Sequence, residues 1–167
     1  MRKILLSEKS LYYGQVKMPI NFEINSLDLS KSVFDSLYAG KDFLYSKEWD
    51  KLNTYLTEHL MVKFDLNLIN KKTWADIYLP NEQSEPLLQI DPVDLKNAPD
   101  YVLLYGINTQ DCNLKIHYDD NRRKGRSWDI PLPYNGFVMF PSTLMYEVKN
   151  KQKNSLNFIQ TITYEYI

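Results

Sequence analysis

The spacing of apolar residues along the chain changes character once, near Thr73. Upstream, Leu29, Val33, Phe34, Leu37 and Tyr38 recur at intervals of three and four after Ser26-Leu27-Asp28, and Trp49, Leu52, Leu56 and Leu60 do the same after Ser46. Such spacing places each set on one stripe of an α-helix, with Gly40 a natural stop for the first. Downstream the period falls to two, and Pro or Gly separates short runs of β-branched and aromatic residues, which predicts strands near 74–79, 87–90, 101–107, 114–118, 128–130, 136–140, 146–148 and 155–166. Residues 1–25 mix Tyr12, Tyr13, Gly14 and Pro19 with polar residues without a helical period and read as an extended arm or edge strand. The expected architecture is a single α+β domain, mostly β. An arm over 1–25 and a helical layer over 26–65 precede a β-domain over 73–167. The β-domain is a jelly roll or double-stranded β-helix with two N-terminal helices packed on one sheet.

Length and charge narrow the possibilities. A chain of 167 residues suits one core of useful size. Its 20 basic and 21 acidic residues nearly cancel, so no global field draws it to nucleic acid or to an anionic membrane, and neither is expected as a partner. Apolar runs such as 101–105 are too short to cross a bilayer, and Met1-Arg2-Lys3-Ile4-Leu5-Leu6 gives way at once to Ser7-Glu8-Lys9, so neither a span nor a signal peptide is expected. One cysteine, Cys112, allows no internal disulfide and no thiolate cluster, which fits synthesis in the reducing cytoplasm.

Partner-binding candidates come from the aromatic and arginine-rich stretches. The segment from Asp119 to Asp129 is the densest in charge, and its acidic and basic ends neutralise each other, which suits a hairpin or contact loop better than a nucleic-acid patch. Arg and Trp often dominate protein interfaces, so Arg122, Arg123, Arg126 and Trp128 are the first candidates for a contact, with Tyr12 and Tyr13 of the arm beside them. The long last strand, 156–166, would pair with a neighbouring chain if it lay at a sheet edge. Protein partners in an oligomeric assembly are the expectation. His59, beside Leu56 and Leu60, reads as a helix-face residue and not as a ligand.

The run Phe137-Val138-Met139-Phe140-Pro141-Ser142-Thr143-Leu144-Met145-Tyr146-Glu147-Val148 resembles a late segment of the 2-oxoglutarate/Fe(II) oxygenases. There an apolar strand and Phe-Pro-Ser lead to His-x-Val and then to a basic residue for the co-substrate; here Tyr146 stands at the histidine's place. The resemblance extends at pattern level from Thr73 to the C-terminus. That family holds iron with a His-x-Asp or His-x-His pair and the later histidine, because Fe(II) takes imidazole and carboxylate on one face. Two placements of the first pair compete. Gln89-Ile90-Asp91-Pro92 makes Gln89, Asp91 and Tyr146 the ligand positions. His117-Tyr118-Asp119 supplies a literal pair on one strand face, giving His117, Asp119 and Tyr146, although Asn113, Lys115 and His117 also read as an ordinary polar strand face. Lys153 falls near the position of the basic residue and would hold a carboxylate as a point charge.

Two functions follow as implications of the resemblance. Replaced ligands imply a non-catalytic barrel that needs no cofactor and acts through protein–protein contacts. The AT-rich flavour of the composition adds a likeness to accessory proteins of tailed marine bacteriophages, and so implies a virion structural or assembly component. The alternative is an Fe(II)/2-oxoglutarate-dependent dioxygenase in which His117 and Asp119 bind iron, Tyr146 or water completes the set and Lys153 holds 2-oxoglutarate.

Overall fold

Alternating side chains need two apolar environments if both faces of a sheet are to be covered, and the chain provides them on either side of one large sheet. The computed structural model describes residues 9–16, 26–38, 47–119 and 125–167. Its strands are β1 (Tyr12–Gln15), β2 (Leu68–Tyr78), β3 (Tyr101–Asn108), β4 (Cys112–Asp119), β5 (Arg126–Pro131), β6 (Gly136–Pro141), β7 (Met145–Asn150) and β8 (Asn157–Tyr166), with helices α1 (Ser26–Tyr38) and α2 (Lys47–Phe64) between β1 and β2. The large sheet runs β1-β6-β3-β8-β2 and the small one β5-β4-β7. Neighbours pair antiparallel throughout.

One face of the large sheet carries Leu103, Tyr105, Phe137, Met139, Ile162 and Tyr164 against Val33 of α1 and Leu52, Leu56 and Leu60 of α2. The other carries Val102, Leu104, Val138, Phe140 and Ile159 against Leu114, Ile116, Ile130, Tyr146 and Val148 of the small sheet. Leu52, Leu56 and Leu60 of the α2 stripe are fully buried, and each such leucine contributes about 2 kcal/mol of burial. On α1 the stripe is rotated from the expected one. Ser30 and Val33 are buried while Phe34, Leu37 and Tyr38 are exposed, and the Phe34 and Tyr38 rings pack on each other at 4.9 Å. The expected stop at Gly40 lies outside the described residues.

Three further expectations change. The strand predicted near 87–90 is reduced to one bridge, Leu87 to Tyr146, with a second between Gln83 and Lys149, so the segment after β2 runs along β7 without a continuous ladder. The strand predicted from residue 74 begins at Leu68. The last strand, β8, lies inside the large sheet between β3 and β2, so the sheet is edged by β1 on one side and on the other by β2. Its ladder is interrupted between Asn70 and Lys72, and a bulge with lysines is a device that discourages edge pairing.

Polar side chains fix the loops that frame the barrel. Asn135 sits at φ 56°, accepts the Tyr105 hydroxyl at 2.5 Å and donates to the Val16 carbonyl at 2.7 Å. It thereby ties the β5–β6 turn to β3 and to the end of β1. Gly106 allows the same turn to approach β3, because a Cβ there would lie 2.5 Å from the Pro133 carbonyl oxygen. Fully buried Asn150 donates to the carbonyls of Tyr78, Leu79 and Ser155 and accepts the Gln152 N–H, closing the ends of β2 and β7.

Candidate functional site

The space between the sheets is apolar except along one side, where β2 faces the start of β7. Tyr78 belongs to the core between the sheets and Ala75 to the core beneath the helices, so alternation places Trp74 and Asp76 on the same inward face as Tyr78. Across from them, Tyr146 is 2 % exposed and meets the Phe140 ring edge-on at 5.1 Å. The segment running along β7 brings Gln89 inward, and its Nε2 donates to the Tyr146 hydroxyl at 2.8 Å. Burial pushes the Tyr146 phenol up to about 12; the Gln89 hydrogen bond opposes the rise and the charge of Asp76 adds to it. Burial, followed by the charge of Asp76, also holds the Tyr78 phenol well above its usual range. Burial raises the Asp76 carboxyl above the ordinary carboxylate range, and a hydrogen bond from the Trp74 side chain partly offsets the shift.

Sequence reasoning brought forward Gln89 and Tyr146, and the structure joins them. Asp91 goes elsewhere: it is exposed and accepts the Val93 N–H at 2.8 Å, capping its own turn. His117 also goes elsewhere. Its neighbour Ile116 pairs with Tyr146 across the small sheet and both face inward, so His117 points out, where its Nε2 lies 2.8 Å from Glu147 Oε1. Gln83 donates to the other carboxylate oxygen at 2.7 Å. The expected set of His117, Asp119 and Tyr146 is therefore not assembled, because a period of two cannot turn His117 and Ile116 to one side. Asp119 pairs through its backbone with Arg126 beyond a register shift; its side chain lies outside the described residues.

This donor set does not fit iron. Gln89 offers a neutral amide, Tyr146 a phenol that keeps its proton at neutral pH, and among the described residues no three His, Cys, Asp or Glu gather as a metal-binding group. The co-substrate fares no better. Lys153 is exposed in the loop between β7 and β8, β8 contains neither Lys nor Arg, and the carboxyl that alternation turns inward nearby is that of the acid Asp76.

Beyond Tyr146 the inner face of the small sheet continues through Ile116 to Trp128, which are paired across β4 and β5. Trp128 is 62 % exposed and lines a cavity of about 350 Å³ with Leu11, Ile116, Tyr118, Leu144 and Lys9. Arg126 shares its strand face by alternation. The arm is divided in the same way. Tyr13 is exposed, whereas Tyr12 turns inward onto Phe64 at 4.7 Å and Tyr101 at 6.3 Å and is committed to the fold. Arg122 and Arg123 lie outside the described residues. His59 stacks on Tyr55 at 5.8 Å along α2, with its pKa lowered by burial and by Lys63.

Solved structures repeat this arrangement of sheets. A prolyl-4-hydroxylase of Pseudomonas putida superposes with a TM-score of 0.68 at 12% identity, covering 95% of this chain and 89% of its own. The viral collagen prolyl hydroxylase of Paramecium bursaria Chlorella virus-1, solved with 2OG, gives 0.62 at 12% identity, with 93% and 96% covered. The non-heme alpha ketoglutarate dependent epimerase SnoN of nogalamycin biosynthesis gives 0.63 at 7% identity, with 95% and 78% covered. The fold is that of the 2OG-Fe(II) oxygenases. No protein-family model and no curated protein matches the chain. Within this oxygenase fold the residues that sequence reasoning missed are Trp74, Asp76 and Tyr78. Their signal was present: an acid flanked two positions away on either side by aromatics in a strand shares their face, and those aromatics mark that face as inward.

Proposed function

We propose that this chain is an oxygenase-fold binding protein that acts through protein–protein contacts and performs no iron chemistry. One observation carries the reading: at the positions that resemble the family's ligands, Gln89 and Tyr146 are hydrogen-bonded to each other at 2.8 Å. The hydrogen bond engages both side chains, and neither bears a charge that would draw a divalent ion from water. The literal His-x-Asp pair gives no alternative route, since His117 is engaged with Glu147 on the outer face. Contacts would be made where aromatic side chains stand free of the core, at Tyr13 and at Trp128 with its cavity. A role in a phage virion or its assembly is the finer form of this reading and rests on the compositional likeness alone.

Anaerobic titration of the purified protein with Fe(II) and 2-oxoglutarate tests the reading. The expected outcome is no metal-to-ligand charge-transfer absorption, in the wild type and in His117→Ala alike. A saturable band would return the chain to the oxygenases as an enzyme.

A further inference from the structure

Inside the barrel Asp76 is an acid that forms no ion pair among the described residues. Its half-buried side chain faces inward from β2 between Trp74 and Tyr78 by alternation, and burial raises its pKa while a hydrogen bond from the neutral Trp74 side chain partly offsets the rise. A carboxylate withdrawn from water without a cation is costly, and the cost falls when a cation arrives. The surroundings suit a particular kind of cation. Indole and phenol faces attract ammonium groups, and a dry aromatic setting strengthens that attraction. Gln89 contributes as well: its N–H is committed to Tyr146, which leaves its carbonyl oxygen to accept. Anions meet the opposite conditions, because β8 carries no basic residue and Lys153 lies outside.

We propose that the inner face of β2 is a binding site for an ammonium group, of the kind presented by a lysine side chain or a small amine, held by the Asp76 carboxylate against Trp74 and Tyr78 with Gln89 as a second acceptor. The proposal rests on the iron-free reading and deepens it: an oxygenase barrel whose interior has exchanged an anion-binding base for an acid would receive a cationic group from its partner. The titratable groups that share the interior, Tyr78, Tyr146 and Cys112, stay protonated across the range in which Asp76 ionises, and Lys72, which alternation puts on the same face of β2, is exposed at the far end of that face. Asp76 is therefore the group that should gate binding.

The test is NMR titration of the intact chain, following the Trp74 indole N–H resonance, assigned through Trp74→Phe. The probes are butylammonium, acetyl-lysine methylamide and, as the anionic control, butyrate. Saturable movement is expected with the two ammonium probes and not with butyrate. Binding should weaken at least about tenfold in the isosteric variant Asp76→Asn, which removes the charge from the contact. In the unaltered protein, binding should weaken as pH is lowered through the Asp76 titration, a readout that does not depend on the folding of a variant. Tighter binding of the lysine derivative than of butylammonium would identify a polypeptide as the source of the group, and the reverse a free amine. No saturable movement with butylammonium, an equal response to butyrate, or pH-independent binding overturns the proposal and leaves the iron-free reading standing. A charge-transfer band in the iron titration overturns that reading by a separate signal.

Discussion

The amide nitrogen of Gln89 and the phenol oxygen of Tyr146 lie 2.8 Å apart, one on the segment that runs beside the small sheet and one at the head of β7. The contact adds to the two isolated bridges, Gln83 to Lys149 and Leu87 to Tyr146, that also hold these two parts of the chain together. Tyr146→Phe keeps the ring against Phe140 and removes the acceptor, so it should cost about 1–2 kcal/mol. In urea unfolding, the double variant with Gln89→Ala should lose less than the sum of the two single variants, by about 0.5–1.5 kcal/mol. Strict additivity would show that the pair contributes nothing to the fold.

Asp76 makes stability depend on pH in the direction opposite to an ordinary ion-paired acid. Its carboxyl holds a proton to higher pH in the folded chain than in the unfolded one, whose value is 3.8. The folded state therefore binds more protons through that window, and stability falls as pH rises across it. Asp76→Asn removes the penalty. Its melting temperature should exceed that of the wild type at neutral pH, and the gap should close below the ordinary carboxylate range. A gap that grows in acid would refute the assignment.

Glu147 provides the converse case on the outer face. Its pKa is lowered, first by the His117 hydrogen bond and then by Gln83, from an ordinary 4.5. The stability it adds is present above that value and is lost as pH falls through the lowered one. The pair stands at the surface, so Glu147→Gln should cost less than about 1 kcal/mol at neutral pH. Thermal unfolding of wild type and variant should converge in acid; a larger loss, or no convergence, would contradict the outward placement of His117.

Gly106 is a packing requirement. A methyl group there would meet the Pro133 carbonyl at 2.5 Å and the Thr109 hydroxyl at 2.6 Å. Backbone cannot rotate away as a side chain can. Gly106→Ala should therefore cost about 1–3 kcal/mol, readable in chemical denaturation. Neutrality would mean that the turn over residues 132–135 moves freely from β3.

Much of the fold was legible because alternation and helical spacing are local. Leu52, Leu56 and Leu60 declared the buried stripe of α2, and β3 to β8 followed the period-two runs. What escaped depends on partners distant in sequence. Nothing near Phe34 or Leu37 states which side of α1 meets the sheet, and nothing in β8 states whether a further strand will lie beyond it. The same limit applies to the site. Tyr146 and Gln89 were reachable through the resemblance, while His117-Tyr118-Asp119 offered a better motif and a worse geometry, since only pairing with β7 reveals that Ile116 and not His117 shares the inward face with Tyr146. Asp76 carried no motif. Its inward placement became visible only once Tyr78, two residues on, was seen in the core between the sheets.

Cys112 is 2 % exposed in the core between the sheets, and burial pushes its thiol up to about 12. It is the single cysteine of the chain. A thiol both shielded and protonated cannot meet a disulfide reagent until the small sheet lifts from the large one. The rate at which an aromatic disulfide is consumed therefore times the opening of the small sheet in otherwise native protein, residue-specifically and without a label. A ligand that fastens the two sheets together would slow that clock, and one that grips only the outer surface would leave it running.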